Sequence, residues 1–282
     1  MNILEIERLE KKYKNFSLEN ISFNIPEGSI MGLIGENGAG KSTIMNLITG
    51  AAVKDGGNIK IFGKDQEKLT YDDMAQVGTV MSGCGFPEEL TADMAEKVLR
   101  GIYKTWDGDK FFGYAEKFGL PLKKKIRTFS TGMKMRFEIA AALSHGARLL
   151  LLDEVTNGLD PAARMEVLDM LLDFIQDERC SVLISSHIVG DLEKICDYIT
   201  FIHGGGLVFS ENKDELLEKY AVINADDGKL AELDENAVVS VRKTAVSQTA
   251  LVFKDSIPRE FETEKASVED IMLYYLKRGE RI

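Results

Sequence analysis

The residues with the clearest chemical potential stand in one glycine-rich run near the start of the chain: Gly35, Glu36, Asn37, Gly38, Ala39, Gly40, Lys41 and Ser42. This run fits the pattern G-x-x-x-x-G-K-[ST], in which backbone N–H groups surround phosphate oxygens. Glycine suits such a turn because it has no Cβ to keep an anion away from the backbone. The pattern predicts that Lys41 reaches the β- and γ-phosphates of a nucleoside triphosphate and that Ser42 binds Mg²⁺.

The segments on both sides of this loop are the ones that such a site requires. Residues 29–34 form an apolar run short enough for a buried strand, and residues 43–48 are typical of a helix. The start of that helix adds N–H donors and the positive end of its dipole to the anion site. The alternative is a glycine-rich turn with a chance lysine. The strand–loop–helix order favours the phosphate site.

A second group of polar residues follows a later apolar strand. Asp153 and Glu154 come directly after four leucines at 149–152. Side chains at the carboxyl ends of parallel strands face the ligand crevice. Asp153 is therefore predicted to bind Mg²⁺ through water, and Glu154 to orient or deprotonate the attacking water, which contributes about 10²–10⁴-fold in rate. The alternative is a pair of solvated acids at a turn, which the upstream phosphate loop disfavours.

His187 follows the next apolar strand, residues 181–186. At that place it could contact the γ-phosphate and hold the attacking water. Taken alone, this histidine is better explained as a surface residue in a strand-to-helix turn.

The elements that must position these residues can be followed along the chain. Alternating patterns at 3–9 and 18–25 predict strands. From about residue 82 to 137 helical patterns dominate, which predicts an inserted helical subdomain. The helix between the two later strands has Asp160 as its N-cap and Pro161 in its first turn. We expect its buried stripe to contain Met165, Leu168, Leu172 and Ile175.

The composition changes again beyond residue 220. Residues 237–241 and 250–253 are predicted strands, and residues 267–270 resemble a capping box that opens a last helix. We therefore expect a main domain at 1–220 and a small accessory domain at 221–282.

Charge and composition limit the classes of function. The net charge is −11, which argues weakly against nucleic acid as a partner. Three scattered cysteines, Cys84, Cys180 and Cys196, make neither a metal spacing nor a disulfide framework, so a reduced compartment is expected. No apolar stretch approaches 18 residues, so any membrane role is expected to come through a partner.

Taken together, the motifs resemble the ATP-binding subunit of an ABC (ATP-binding cassette) transporter over nearly all of residues 1–220. The resemblance depends on several elements in their order and separation. These are the phosphate loop at 35–43, the signature segment at 129–133, the acidic strand at 149–154, the loop at 157–160 and His187. It implies an α/β fold with a P-loop ATPase core, an antiparallel β subdomain, the helical insertion and a small C-terminal α+β region.

The resemblance also implies roles that the residues alone do not. Tyr13 lies where the family stacks an aromatic ring on adenine, and Phe16 is a nearby competitor. The family's cassettes work as head-to-tail pairs, so Ser130 and Gly132 of one subunit would touch the γ-phosphate held by Lys41 of the other. Ser130 also precedes a helix and would serve as its N-cap, a role compatible with the first. Asp160 would couple the two sites, and the remaining loop residues Asn37, Gly38, Ala39, Gly40, Ser42 and Thr43 would bind the nucleotide.

Two departures from the family pattern bear on turnover. Ser82 stands where the family usually has glutamine, and serine is too short to reach the same magnesium or water position. Thr131 replaces a glycine of the signature and would crowd the partner's phosphates. The serine at position 82 puts the sensing of nucleotide by the helical subdomain in doubt, whereas the retained Ser130 and Gly132 favour a signature segment that still works.

The resulting expectation is an ATPase with ATP and Mg²⁺ as cofactors that powers a separate integral-membrane permease, with export favoured by the C-terminal helix. It would work as a homodimer or with a related cassette, in the cytoplasm, at the inner face of the membrane. Two alternatives remain open at this point. One is an ABC-type ATPase acting on ribosomes or DNA, and the other is a regulatory nucleotide-binding module that hydrolyses weakly.

Overall fold

The computed structural model describes residues 1–81, 85–224, 227–243 and 248–278. The strands are β1 Asn2–Tyr13, β2 Phe16–Pro26, β3 Ile30–Ile34, β4 Gly56–Ile61, β5 Lys64–Asp65, β6 Val77–Val80, β7 Leu149–Asp153, β8 Ser181–Ser185, β9 Tyr198–His203, β10 Gly206–Asn212, β11 Tyr220–Asn224, β12 Val238–Lys243, β13 Gln248–Phe253 and β14 Thr263–Lys265. The α-helices are α1 Lys41–Ile48, α2 Tyr71–Met74, α3 Ala92–Ile102, α4 Gly108–Lys117, α5 Thr131–Ser144, α6 Pro161–Phe174, α7 Val189–Ile195, α8 Lys213–Lys219, α9 Asp227–Ala231 and α10 Val268–Arg278.

One large mixed sheet organises most of the chain, in the order β5-β4-β1-β2-β10-β9-β3-β8-β7-β6. Strands β9, β3, β8, β7 and β6 run parallel to one another, whereas β10 pairs antiparallel with β9, and β1 pairs antiparallel with β2 and β4. Alternate residues of β7 enter two different apolar clusters: Leu150 and Leu152 enter one, and Leu149 and Leu151 the other. Burial on both faces explains why this strand is a continuous run of leucines.

A helical segment lies between β6 and β7, as expected. Helices α3, α4 and α5 pack around Phe111 and Phe137, both fully buried. The segment does not end at residue 137, because α5 continues to Ser144. Residues 138–143 are good helix formers without glycine or proline, and the first break in the sequence is Gly146, which has φ +78°.

Helix α6 begins as the sequence predicts but buries a different face. Asp160 accepts a hydrogen bond from the Ala163 backbone N–H at 2.9 Å, so the N-cap is confirmed. The predicted stripe is wrong, since Met165 is 48% and Leu172 37% exposed. The side chains that α6 buries are Ala163, Val167, Leu168, Met170 and Leu171. These include an i, i+4, i+7, i+8 set that starts from a small alanine, which apolar size alone does not single out.

The C-terminal residues form a second sheet, antiparallel, in the order β12-β13-β11-β14. The capping box at the start of α10 is present, with Ser267 Oγ accepting from Asp270 N at 3.1 Å and Asp270 accepting from Ser267 N at 3.0 Å. The Val268 backbone N–H of α10 donates to Glu193 of α7 at 2.9 Å. Helix α10 therefore connects the second sheet to the main one.

Among the described residues no helix has the length and apolarity needed to cross a bilayer. Cys180 and Cys196 are buried free thiols, whereas Cys84 and Ser82 lie outside the described residues.

Candidate functional site

The glycine-rich loop connects β3 to α1. Glycine is favoured at two of its positions for different physical reasons. Gly40 has φ +112°, and a Cβ there would lie 2.5 Å from Cδ2 of Leu18. Packing against β2 therefore excludes a larger residue at that position. Gly38 has φ +83°, but no atom lies within 4 Å of its Cβ position. At Gly38 the backbone is open on the side where a ligand would approach.

Lys41 lies in the floor of the loop. Its side chain is 6% exposed, and its Nζ donates to the backbone oxygens of Gly35 at 2.8 Å and Glu36 at 3.2 Å. The same ammonium group lies 3.4 Å from Oε1 of Glu154. A buried cation is thus held by loop carbonyls and a carboxylate at the place where the motif requires the phosphate-binding lysine.

Glu154 begins the turn after β7 and is bonded on several sides. Its φ is +57°, uncommon for a residue other than glycine, and its backbone N–H donates to Ser185 O at 3.1 Å and Ser185 Oγ at 3.0 Å. Its Oε2 lies 2.8 Å from His187 Nδ1 and accepts from Asn157 Nδ2 at 2.9 Å. These bonds aim the carboxylate at Lys41 and keep the strained backbone in place.

The ionisation of Glu154 follows from the same contacts. Burial favours the neutral acid, but the hydrogen bond from His187 and the charge of Lys41 outweigh burial and lower the pKa of Glu154 below its ordinary value. The side chain is therefore a carboxylate at neutral pH, the form that a base for a water molecule needs.

Asp153 has the environment of a metal-binding carboxylate. It is 1% exposed, and Oδ1 accepts from Ser185 Oγ at 2.6 Å. Its Oδ2 is buried and has no hydrogen-bond partner among the described residues. An unpaired buried carboxylate oxygen is costly unless a cation compensates it, and Mg²⁺ prefers oxygen ligands. The exposed hydroxyl of Ser42 in the first turn of α1 completes a donor set that fits magnesium.

A cleft of about 570 Å³ opens above these residues. Its lining residues are Asn15, Phe16, Asn37, Gly38, Gly40, Lys41, Ser42, Thr43, Glu154 and Asn157. A second cavity of about 650 Å³ shares Asn15, Phe16, Asn37 and Gly38 with it and includes Tyr13 and the predicted loop residue Ala39. The two form a continuous groove that leads from the charged loop to two aromatic rings. Tyr13 is 49% exposed and borders only the outer cavity, whereas Phe16 borders both.

The signature residues lie elsewhere. Ser130 is exposed at the N-cap of α5 and accepts a hydrogen bond from Met133 N at 3.2 Å. Gly132 faces Leu159, whose Cδ2 would lie 3.3 Å from a Cβ at that position. The hydrogen bond from Ala163 N lowers the pKa of Asp160. None of Ser130, Gly132 or Asp160 lines either cavity.

Two residues of the site received no role from the sequence. Ser185 bonds both Asp153 and Glu154, and Asn157 holds the Glu154 carboxylate. The available signal was the position of Ser185 at the end of a buried strand next to β7, because residues at adjacent strand ends meet.

Fold and site together define a phosphate-loop nucleotide-binding protein with two acids at the end of one strand. Comparison with known proteins extends this assignment. The ABC transporter family profile matches residues 18–157. The lantibiotic transport ATP-binding protein SrtF of Streptococcus pyogenes is 35% identical over 231 residues, which cover 76% of this chain and 95% of that protein.

Other relatives agree. The bacitracin transport ATP-binding protein BcrA of Enterococcus faecalis is 34% identical, over 81% of this chain and 76% of that protein. A solved structure described as the ATP-binding subunit of an ABC transporter superposes with a TM-score of 0.68 and 26% identity, over 76% of this chain and 91% of that one.

This chain belongs to the ATP-binding subunits of ABC transporters. It is an ATPase of that family, whose members drive transport through membrane permeases. The family, the fold class and the enzyme class expected from the sequence are confirmed.

Proposed function

We propose that this chain binds MgATP in the groove from Tyr13 to Glu154 and hydrolyses it as one half of a head-to-tail pair that drives export through a separate permease. The observation that carries this proposal is that the residues expected to act on one ATP lie at two separate places in the chain. Glu154 contacts both Lys41 and His187 beside the cleft, while Ser130 lies on an exposed helix end outside it.

The residues in and beside the cleft receive the following roles in this proposal. Lys41 and the N–H groups of Gly38, Ala39 and Gly40 bind the phosphates, together with Asn37 and Thr43. Ser42 and Asp153 hold Mg²⁺, which when bound neutralises phosphate charge. Glu154 takes the proton of the attacking water. His187 keeps Glu154 ionised and oriented through its bond to Oε2.

Ser130 and Gly132 support the head-to-tail pairing. A hydroxyl and a backbone N–H at the start of a fourteen-residue helix suit an anion, since the helix end presents donors and a partial positive charge. The cleft of the same chain does not include them. A second copy, or a related cassette, turned head to tail would bring Ser130 to the γ-phosphate and Asp160 to the shared interface.

The names of the relatives support the direction of transport. SrtF and BcrA are named for lantibiotic and bacitracin transport, and a linearmycin resistance protein of Bacillus subtilis is 30% identical over 86% of this chain. We infer export of an antibiotic-like compound by a complex in which this chain lies at the cytoplasmic face of the membrane.

The same proposal assigns residues 1–220 to the ATPase domain, with the helical subdomain inserted, and residues 221–282 to an accessory domain. Support comes from the second sheet and from a small apolar cluster whose members all lie between residues 221 and 261, including Ala221, Ile223 and Val252.

The test uses the substitution Glu154→Gln, which keeps the shape of the side chain and removes the base. With MgATP, we expect this variant to retain nucleotide and to double in mass by light scattering, while steady-state hydrolysis falls about 10²–10⁴-fold. Glu67→Gln, which alters a surface carboxylate paired with Lys54, is the matched control and should behave as the parent. Full hydrolysis by Glu154→Gln would contradict the assigned base, and a chain that stays single with bound ATP would contradict the pairing.

A further inference from the structure

A buried carboxylate on α5, the helix that begins at the signature segment and that we call the signature helix, has no role in the cleft. Glu138 lies in α5, two turns after Ser130, and is only 6% exposed among buried neighbours such as Ile139 and Ala140. Its Oε1 accepts a hydrogen bond from the backbone N–H of Gly85 at 2.7 Å. Burying a carboxylate is expensive unless such donors compensate it. An apolar residue would fill the same space without that cost.

Gly85 begins a short segment, residues 85–88, that we call the tether. The tether follows β6, the strand that pairs with β7 up to Leu152, the residue before Asp153. Along the tether, Phe86 packs edge-on against Phe137 with ring centroids 4.8 Å apart, and Glu88 pairs with Lys134 at 2.6 Å. Successive tether residues thus contact α5 in the order 138, 137, 134.

The tether is also bound to the chain before the signature. The backbone oxygen of Glu88 accepts from Arg127 N at 3.0 Å. The tether therefore contacts residues on both sides of Ser130 in the sequence. Of these contacts, the bond from Gly85 to Glu138 is charge-assisted and ends on a carboxylate that is 6% exposed, although Gly85 itself is exposed. This makes it the strongest of the tether contacts, whereas both members of the Lys134 pair are more exposed and contribute less.

We propose that Glu138 is a positioning residue: by holding the backbone of Gly85, it fixes the signature helix α5 against the tether, so that Ser130 meets the triphosphate of the partner copy. This inference rests on the head-to-tail pairing proposed above. It assigns Glu138 an effect on pairing and none on nucleotide binding by a single copy, because Lys41 and the aromatic rings lie in the other part of the chain.

The experiment compares Glu138→Ala and Glu138→Gln, both placed in the Glu154→Gln chain. We expect Glu138→Ala to weaken MgATP-dependent pairing about 10- to 100-fold, the value of one hydrogen bond to a charged group. The ATP affinity of the dilute single copy should change less than about twofold, since only pairing depends on this bond. Glutamine keeps an acceptor of the same length and should restore most of the pairing.

The matched control is Glu96→Ala. Glu96 is equally buried, at 2% exposure, but accepts from Arg100 and Trp106 within the helical segment. This control should lower the unfolding temperature and leave pairing as in the parent. If Glu138→Ala does not fold, Glu138→Asp keeps the charge, withdraws it from Gly85, and should weaken pairing in the same way.

Equal pairing by Glu138→Ala and the parent, or equal losses from Glu138→Ala and Glu96→Ala, would overturn the inference. A Glu154→Gln parent that binds MgATP and never pairs would overturn the proposed function and this inference with it. A parent that pairs, with variants that pair equally well, would overturn this inference alone.

Discussion

The nucleotide cleft and the signature tip, which is Ser130 and Gly132 at the start of α5, differ in how the hydrogen-bonding needs of their polar groups are met. In the cleft, Lys41, Glu154 and His187 form a bonded chain of side chains, and Ser185 joins Asp153 to the Glu154 backbone. At the tip, the hydrogen bond that Ser130 accepts comes from its own helix turn. The contacts within a single copy preorganise the cleft. Under the proposed pairing, the exposed helix end at Ser130 would meet an anion that the other copy holds.

The largest effect is expected when the two regions are damaged in separate copies. In the Glu154→Gln background, Lys41→Ala and Ser130→Arg should each abolish MgATP-dependent pairing. Mixed together, they should pair and retain one nucleotide per pair, because one Lys41–Ser130 site remains whole. Light scattering and nucleotide counting measure this result. Pairing by Ser130→Arg alone, or failure of the mixture, would show that the tip does not complete the partner's site.

A smaller effect is expected from Ser185→Ala, which acts only on the cleft. The substitution removes the hydroxyl bonded to Asp153 and to the Glu154 backbone. Outer partners of metal ligands typically contribute about 10- to 100-fold in metal affinity or activity, so hydrolysis at limiting Mg²⁺ should fall by that factor. Ser186→Ala, one residue further on, is the control. Unchanged magnesium dependence in Ser185→Ala would mean that Asp153 does not need this support.

The aromatic end of the groove offers a finer test. Whichever ring stacks on the base, its replacement by alanine should weaken ATP binding by about 1 kcal/mol, or about fivefold, the lower end of the range for stacking because the groove is open. We expect the loss in Tyr13→Ala and full affinity in Tyr13→Trp. A loss in Phe16→Ala with normal affinity in Tyr13→Ala would transfer the stacking role to Phe16, which borders both cavities.

The smallest expected effect is a shift in pH dependence. Burial opposes ionisation of Glu154, but the hydrogen bond from His187 and the charge of Lys41 lower its pKa overall. Activity that needs the carboxylate is therefore retained on acidification until the pH reaches this lowered value. In His187→Ala the main lowering contact is lost, so the acid limb of kcat/KM should move to higher pH. An acid limb that stays in place would separate His187 from the ionisation of Glu154.

Predictions from the sequence succeeded where a contact is local. Strands β3, β7 and β8 were predicted because each is a short apolar run, and Asp160 was predicted as a cap because capping needs only the next three residues. The α6 stripe failed because apolar residues lie on more than one side of that helix. Which side is buried depends on neighbours that no local pattern describes.

The amino-acid sequence by itself determined the phosphate loop, the two acids after β7 and the family, since these depend on residue type and spacing along the chain. Only the tertiary structure decided that Ser185 and Asn157 hold the two acids, that Phe16 borders both cavities while Tyr13 borders one, and that Glu138 reaches Gly85 across more than fifty positions. Such contacts depend on strand order and on the packing of one helix face. The free energy of burying apolar surface sets both, and it is summed over the whole molecule.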